Sequence, residues 1–233
     1  MSEKAAPLIG AEGVDGTHAV EGLRCGNYLA WVSRVSKSDF ADLLAERMQD
    51  LEWLAAAGLR HQRIVAEISG KIPALPARFG TVFLSEDSLA QHVKQRTAAL
   101  AAAFERVADA DEWGVKVFAA PRPKPRAVTK ATSGSDYLKR KAQLLQPRTG
   151  KMDADVNEFI AALTKLAAAT GPGGKVSTGQ PGLLWHGSFL IRRKDRARLE
   201  SLLGDYAAKW KDLRRIDCTG PWPPYSFVEE HVH

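Results

Sequence analysis

The stretch that decides the fold is Ile72 to Phe83, IPALPARFGTVF. Pro73 and Pro76 each lock φ and remove a backbone donor, so no regular helix runs through them, and each pushes its predecessor, Ile72 and Leu75, into an extended conformation. Gly80 then frees the backbone ahead of the β-prone Thr81-Val82-Phe83. Helical patterns flank the stretch on both sides, so it reads as an extended hinge between two amphipathic blocks.

On its N-terminal side, Asp50 is placed to start a helix whose Leu51, Leu54, Gly58, His61, Val65 and Ile68 form one stripe. His61 lies on that stripe, where a histidine is more often a core residue with a backbone partner than a ligand or catalyst. Upstream, Ser38 is a candidate N-cap for Phe40, Leu43, Leu44 and Met48 at helical spacing. Asn27 to Val35 is β-branched and aromatic enough for a strand. Residues 1–26, punctuated by five glycines, read as a loose lead-in. On the C-terminal side, Ser85 is placed to cap a helix carrying Leu89, Val93, Leu100, Phe104 and Val107. A first α+β domain over 1–109 closes there.

Glu112 to Phe118 is a strand signal, with Trp113, Val115 and Val117 on one face and Lys116 between them, a lysine that marks an edge or solvated face more often than a site. Two helices follow, one with Leu138, Lys141 and Leu145, the other with Val156, Phe159, Leu163 and Leu166. A weak strand is expected near 175–178, then a strong one over Leu183 to Ile191. An amphipathic helix carries Leu199, Leu202, Leu203, Tyr206, Trp210 and Leu213, and a short strand surrounds Ile216 and Cys218. The order strand, helices, strand, strand, helix, strand is a split βαββαβ, ferredoxin-like, over 110–218 with helices inserted at about 120–170. The last fifteen residues form a Pro/aromatic tail. Its Trp222, Pro224, Tyr225 and Phe227 combine low ordering entropy with large apolar area, and are expected to clasp the two domains together.

Taken together, the 72–83 stretch, WGVKVF at 113–118 and TGPWPPYSF at 219–227 resemble the gas vesicle protein GvpL/GvpF family, where similar blocks recur in this order. The three blocks span most of the chain. The resemblance implies an α+β fold of two domains, the second a modified ferredoxin-like one. It also implies a hydrophobic strand ahead of the Gly13-Val14-Asp15-Gly16 segment, which MSEKAAPLIG does not offer. For function it implies an accessory or minor structural protein that binds the small hydrophobic shell protein during nucleation and assembly, together with other gas vesicle accessory proteins. Arg78, Phe79 and Lys116 are the candidate partner-binding or structural residues, Arg78 because it is a cation in an otherwise apolar segment.

Composition bounds the alternatives. With 45% hydrophobic and 26% charged residues among 233, the chain is of ordinary globular type and long enough for one large or two small cores. No apolar run approaches the roughly 18 residues of a membrane helix, and the N-terminus lacks a secretory layout, so a cytoplasmic protein is expected, at the gas vesicle by resemblance. Cys25 and Cys218 match no zinc or redox spacing, and read as two half-buried thiols. No Gly-x-Ser-x-Gly elbow, paired-histidine ligand spacing or phosphate loop is present; in GPGGKVSTGQPG (171–182) Val176 stands where a metal-binding Ser/Thr belongs. No enzyme, metal or cofactor is expected.

The net charge of +6 is concentrated: Lys116 to Lys151 holds ten Lys/Arg against Asp136, and the rest of the chain nets −3. That segment supports one rival, a ferredoxin-like module binding RNA through its basic 116–151 residues. Against it, WGVKVF and FLIRR stand where the aromatic RNA-binding signature belongs. PRPKPR (121–126) reads better as a solvated insertion.

Overall fold

The structure, a computed structural model, describes residues 4–5, 12–120, 154–171, 180–211 and 213–228. The first helix expected in the insertion, the basic run 121–151 and the weak strand near 175–178 lie outside the described residues. The chain divides into two compact units: 1–113 with 190–194 and 219–233, and 114–189 with 195–218.

The first unit begins with a three-stranded antiparallel sheet, β1 (Lys4–Ala5), β2 (Val20–Cys25) and β3 (Tyr28–Ser33), in that order. Its register is Val20 to Ser33 through Cys25 to Tyr28, with Gly26 at φ 63 in the connecting turn. Two expectations are corrected here. The stretch before Asn27 is not a loose lead-in, because Val20, Leu23 and Cys25 bury their side chains in spite of the surrounding glycines. An edge strand is also present, though it is two residues long rather than a hydrophobic run: Lys4 pairs with Leu23 and Ala5 with Gly22.

Strand alternation places this sheet between two helices. Val20 packs with Ile64 and Ile68 of α2 (Leu51–Lys71), and Trp31, opposite Gly22, joins them. Leu23 and Cys25, on the other parity, pack with Leu89 of α3 (Glu86–Gln95), joined by Ala30, Val32 and Val93. The period of two thus gives each face its own helix. The 72–83 stretch carries the chain from one face to the other: Ala74 packs in the α2 cluster and Phe83 in the α3 cluster.

Both expected caps form. The Asp50 side chain accepts from the amides of Glu52 and Trp53, and Ser85 and Ser88 make a reciprocal capping box. Three details differ from the sequence reading. The helix after Ser85 is interrupted at Arg96 and resumes as α4 (Thr97–Val107). Ser38 opens a π-helical turn, Ser38–Asp42, followed by the short α1 (Leu44–Arg47), because Phe40 buries alone while Leu43 and Met48 stay exposed. Leu51, expected on the same stripe of α2 as Ile68, is 79% exposed, since the helix turns Ala57 and Ile64 inward with Ile68.

A four-stranded sheet has the order β5 (Ala169–Gly171), β6 (Leu183–Arg192), β4 (Ala110–Ala119), β7 (Arg214–Trp222). β4 is an interior strand, which removes the edge reading of Lys116. In the second unit α5 (Ala154–Leu166) buries Val156, Phe159 and Leu163, and α6 (Arg196–Lys209) buries Leu199. Phe159, Tyr206 and Trp210 form a triangle of rings with centroids 4.8–5.2 Å apart. Lys209 and Arg214 approach Asp155 at 3.9 and 3.8 Å, ion pairs rather than hydrogen bonds. Among the described residues no helix is long and apolar enough to cross a membrane.

Candidate functional site

Within the first unit, five rings follow one another from the π-helical turn to the tail. Phe40 meets Trp53 at 5.1 Å, Trp53 meets Phe79 at 6.1 Å, Phe79 meets His61 edge-on at 5.6 Å, and His61 meets Tyr225 at 6.2 Å. Each arrives for a local reason. Trp53 and His61 stand eight positions apart on α2, close to two turns and so on one face. Phe79 is held at the corner of a turn, Arg78-Phe79-Gly80-Thr81. The Thr81 amide donates to the Arg78 carbonyl at 3.1 Å, the Thr81 hydroxyl donates to the same oxygen at 2.8 Å, and Gly80 takes φ 89. That is the hydrogen bond and the positive φ at the third position of a type II turn, which only glycine adopts without strain. The Arg-Phe-Gly sequence is therefore a device that places a phenyl ring.

Tyr225 is brought in by the tail. β7 runs on to Trp222, so Thr219 to Trp222 belong to a strand and not to a separate tail, a difference from the sequence reading. Gly220, at φ 137, passes so close to β4 that a Cβ there would lie 2.9 Å from the Glu112 carbonyl and about 3.0 Å from the Trp113 ring. Pro223 and Pro224 are buried, and Tyr225–Phe227 form a 3-10 turn. Glu112, the one buried charged residue among those described, fixes this turn: its two oxygens accept from the Ser226 amide at 2.8 Å and the Ser226 hydroxyl at 2.6 Å. Arg106 of α4 donates to the Phe227 carbonyl at 3.1 Å.

These elements enclose a depression of about 370 Å³, lined by His61, Phe79, Glu112, Trp222, Pro223 and Tyr225 among others. Its electrostatics are simple. Burial lowers the pKa of His61 below the usual histidine value, and a hydrogen bond with the Ala77 backbone only partly opposes this, so the imidazole is neutral at neutral pH. Burial pushes the Tyr225 phenol up to about 12, and its hydroxyl, shielded from solvent, has no hydrogen-bond partner among the described residues. Among the described residues no group of three or more His, Cys, Asp or Glu side chains is placed to hold a metal ion.

Of the residues singled out from sequence, Phe79, Trp222 and Tyr225 meet at this depression. Arg78 is exposed beside it in the chain and contributes its carbonyl to the turn. Pro224 and Phe227 are buried in the tail turn. Lys116 lies in the second unit, where its ammonium donates to the Gln180 side chain at 3.5 Å. Sequence reasoning passed over Glu112 and Trp53. An acid at the start of a strand signal, two residues from Asp109-Ala110, carries no mark of burial. Its partner Ser226 is 114 residues away.

The family model described as "Gas vesicle synthesis protein GvpL/GvpF" matches residues 1–229. A relative named Gas vesicle protein L, from a Streptomyces species, is 30% identical over 241 residues, covering 94% of this chain and 90% of the relative. Gas vesicle protein F1 of Halobacterium salinarum is 38% identical over 50 residues, 22% of this chain and 23% of that protein. Among solved structures, the gas vesicle protein GvpF of an Anabaena species superposes with a TM-score of 0.62 at 16% identity, covering 97% of this chain and 93% of that one. GvpF of Microcystis aeruginosa gives 0.60 at 13% identity, with 98% of each chain covered. At those identities the two structures speak for the fold, a mixture of helix and sheet.

Proposed function

This chain belongs to the gas vesicle synthesis protein GvpL/GvpF family, and from that premise we propose that it is an accessory or minor structural protein of gas vesicle nucleation and assembly, binding the small hydrophobic shell protein and limiting its aggregation. Its place of action is then the cytoplasm and the growing vesicle, and its partners include other gas vesicle proteins. A subunit that polymerises into a water-repelling wall exposes adhesive surface before it assembles, and a partner that covers this surface suppresses off-pathway association.

The observation that carries this reading is the outer side of the 72–83 stretch and its continuation. Ile72 is 44% exposed, Val82 37% and Leu84 77%, in a segment that Ala74 and Phe83 anchor to the two core clusters. Large apolar side chains left exposed along a segment anchored at two points are what an apolar partner needs. Arg78, in the same segment, is the proposed polar contact at its rim. Replacing both Val82 and Leu84 by lysine is the test: capture of the shell protein in a pull-down should fall at least fivefold while the melting temperature stays within a few degrees, since both sites are exposed. Undiminished capture would remove this surface from the account.

Two structural readings accompany it. We read β4, α5, β5, β6, α6 and β7 as a modified ferredoxin-like domain; the spatial order β5-β6-β4-β7 and the helices between strands support this. We read Trp222, Pro224, Tyr225 and Phe227 as a clasp, supported by the bonds of Ser226 and Phe227 to Glu112 and Arg106. Tyr225→Ala should lower protease resistance and melting temperature together; no change in either would argue against a clasp.

A further inference from the structure

We propose that the depression lined by Phe79, Trp222 and Tyr225 holds a cationic side chain, a lysine or arginine presented by a protein partner. This rests on the reading of the chain as a protein-binding accessory, but it concerns a different surface from the exposed edge of the 72–83 stretch.

Two observations carry it. The first is the wall. Four rings, those of His61, Phe79, Trp222 and Tyr225, line a space of about 370 Å³, near the lower end of the roughly 300–1,000 Å³ typical of ligand sites. Trp222 stays 41% exposed although it is the largest side chain of the tail, so part of its indole is available at the surface. The negative faces of such rings attract ammonium and guanidinium groups. The chain makes the same pairing elsewhere within itself: Lys209 lies 5.3 Å from the Tyr206 ring, Arg214 5.1 Å from Trp210 and Arg215 4.6 Å from Phe118.

The second observation is charge. Of the residues lining the depression, Glu112 carries a formal charge and His61 is kept neutral by its burial, so the site is net negative. Ser226 occupies two acceptor positions of the carboxylate, one on each oxygen, and a carboxylate offers about four. A carboxylate with acceptor positions left over, lining a depression walled by aromatic rings, suits a donor that is cationic and has a long apolar stem. Lysine and arginine are the two side chains of that description.

The test titrates the full-length, nitrogen-15-labelled chain with n-butylammonium and n-butylguanidinium chlorides, and with 1-pentanol as the neutral isostere, at constant ionic strength. The readout is the indole N–H resonance of Trp222, assigned from its loss in Trp222→Phe. Either cation should move that resonance saturably, with a half-point at least fivefold below that of pentanol. Glu112→Gln, which keeps an oxygen for Ser226, should weaken the cation response fivefold or more. Phe79→Leu, which removes one ring of the wall, should weaken it about twofold and serves where Glu112→Gln does not fold. Equal responses to cation and alcohol would overturn the proposal in favour of an apolar or proline-bearing occupant, and no response to either would make the depression a packing defect. No shell protein takes part in this titration. Its failure would therefore leave the shell-binding reading standing, and failure of capture by the exposed edge would leave this site standing.

Discussion

At the scale of single residues, the structure assigns opposite costs to two neighbouring polar groups. The Tyr225 hydroxyl is buried without a partner among the described residues, so Tyr225→Phe deletes a desolvated group and no bond. Its stability to urea should be unchanged or higher by up to about 1–2 kcal/mol; a clear loss would mean that the hydroxyl is bonded in the folded protein. His61 acts through pH. Its folded pKa lies below the ordinary 6.5 because burial disfavours the charged ring. As pH falls through 6.5 the unfolded chain takes up the proton first, so this contribution is fully present above that value and is lost below it. Urea midpoints between pH 8 and pH 5 should decline more steeply for the native chain than for His61→Gln; parallel curves would contradict a buried neutral imidazole. The sequence placed His61 on the inner stripe of α2 with a backbone partner, and the Ala77 backbone is that partner. What it could not supply was the company of Phe79 and Tyr225, which come from 18 and 164 positions away.

At the scale of elements, Gly220 is the position most sensitive to one added carbon. Ala in its place meets the Glu112 carbonyl and the Trp113 ring at φ 137, so Gly220→Ala should cost roughly 1–3 kcal/mol of stability, by the usual price of a strained backbone. A melting temperature equal to that of the native chain would show that the tail does not cross β4 there. Ser85→Ala removes one half of the capping box of α3 and should cost about 1 kcal/mol in urea. Caps were legible because they are local: Asp50 and Ser85 sit immediately before their helices and bond within three residues. β2 was not, because its signal was diluted by Gly16, Gly22 and Gly26 and its strength comes from α2 and α3. The extension of β7 to Trp222 was missed for a related reason. Pro221 argues against a strand, yet β7 is the edge of its sheet, where a missing donor is tolerated.

At the scale of the whole molecule, two of the three sequence blocks that carried the family resemblance turn out to share a site. Phe79 from the central stretch, Trp222, Pro223 and Tyr225 from the tail and Glu112, the residue before the WGVKVF block, all line the same depression in the first unit. Spacing alone could not foretell that meeting, because contacts over more than a hundred residues leave no periodic trace. The fold class was readable from alternation and helical stripes; the basic 116–151 run, which prompted the nucleic-acid rival, lies mostly outside the described residues. The central claim is that this chain covers the hydrophobic shell protein before assembly. Its most direct measurement is co-expression of the two, with the shell protein followed between pellet and supernatant. The account predicts that the shell protein moves into a soluble complex that co-purifies with this chain, and that it does so less when Val82 and Leu84 are lysine. A shell protein that stays in the pellet, with nothing co-purifying, would contradict direct binding.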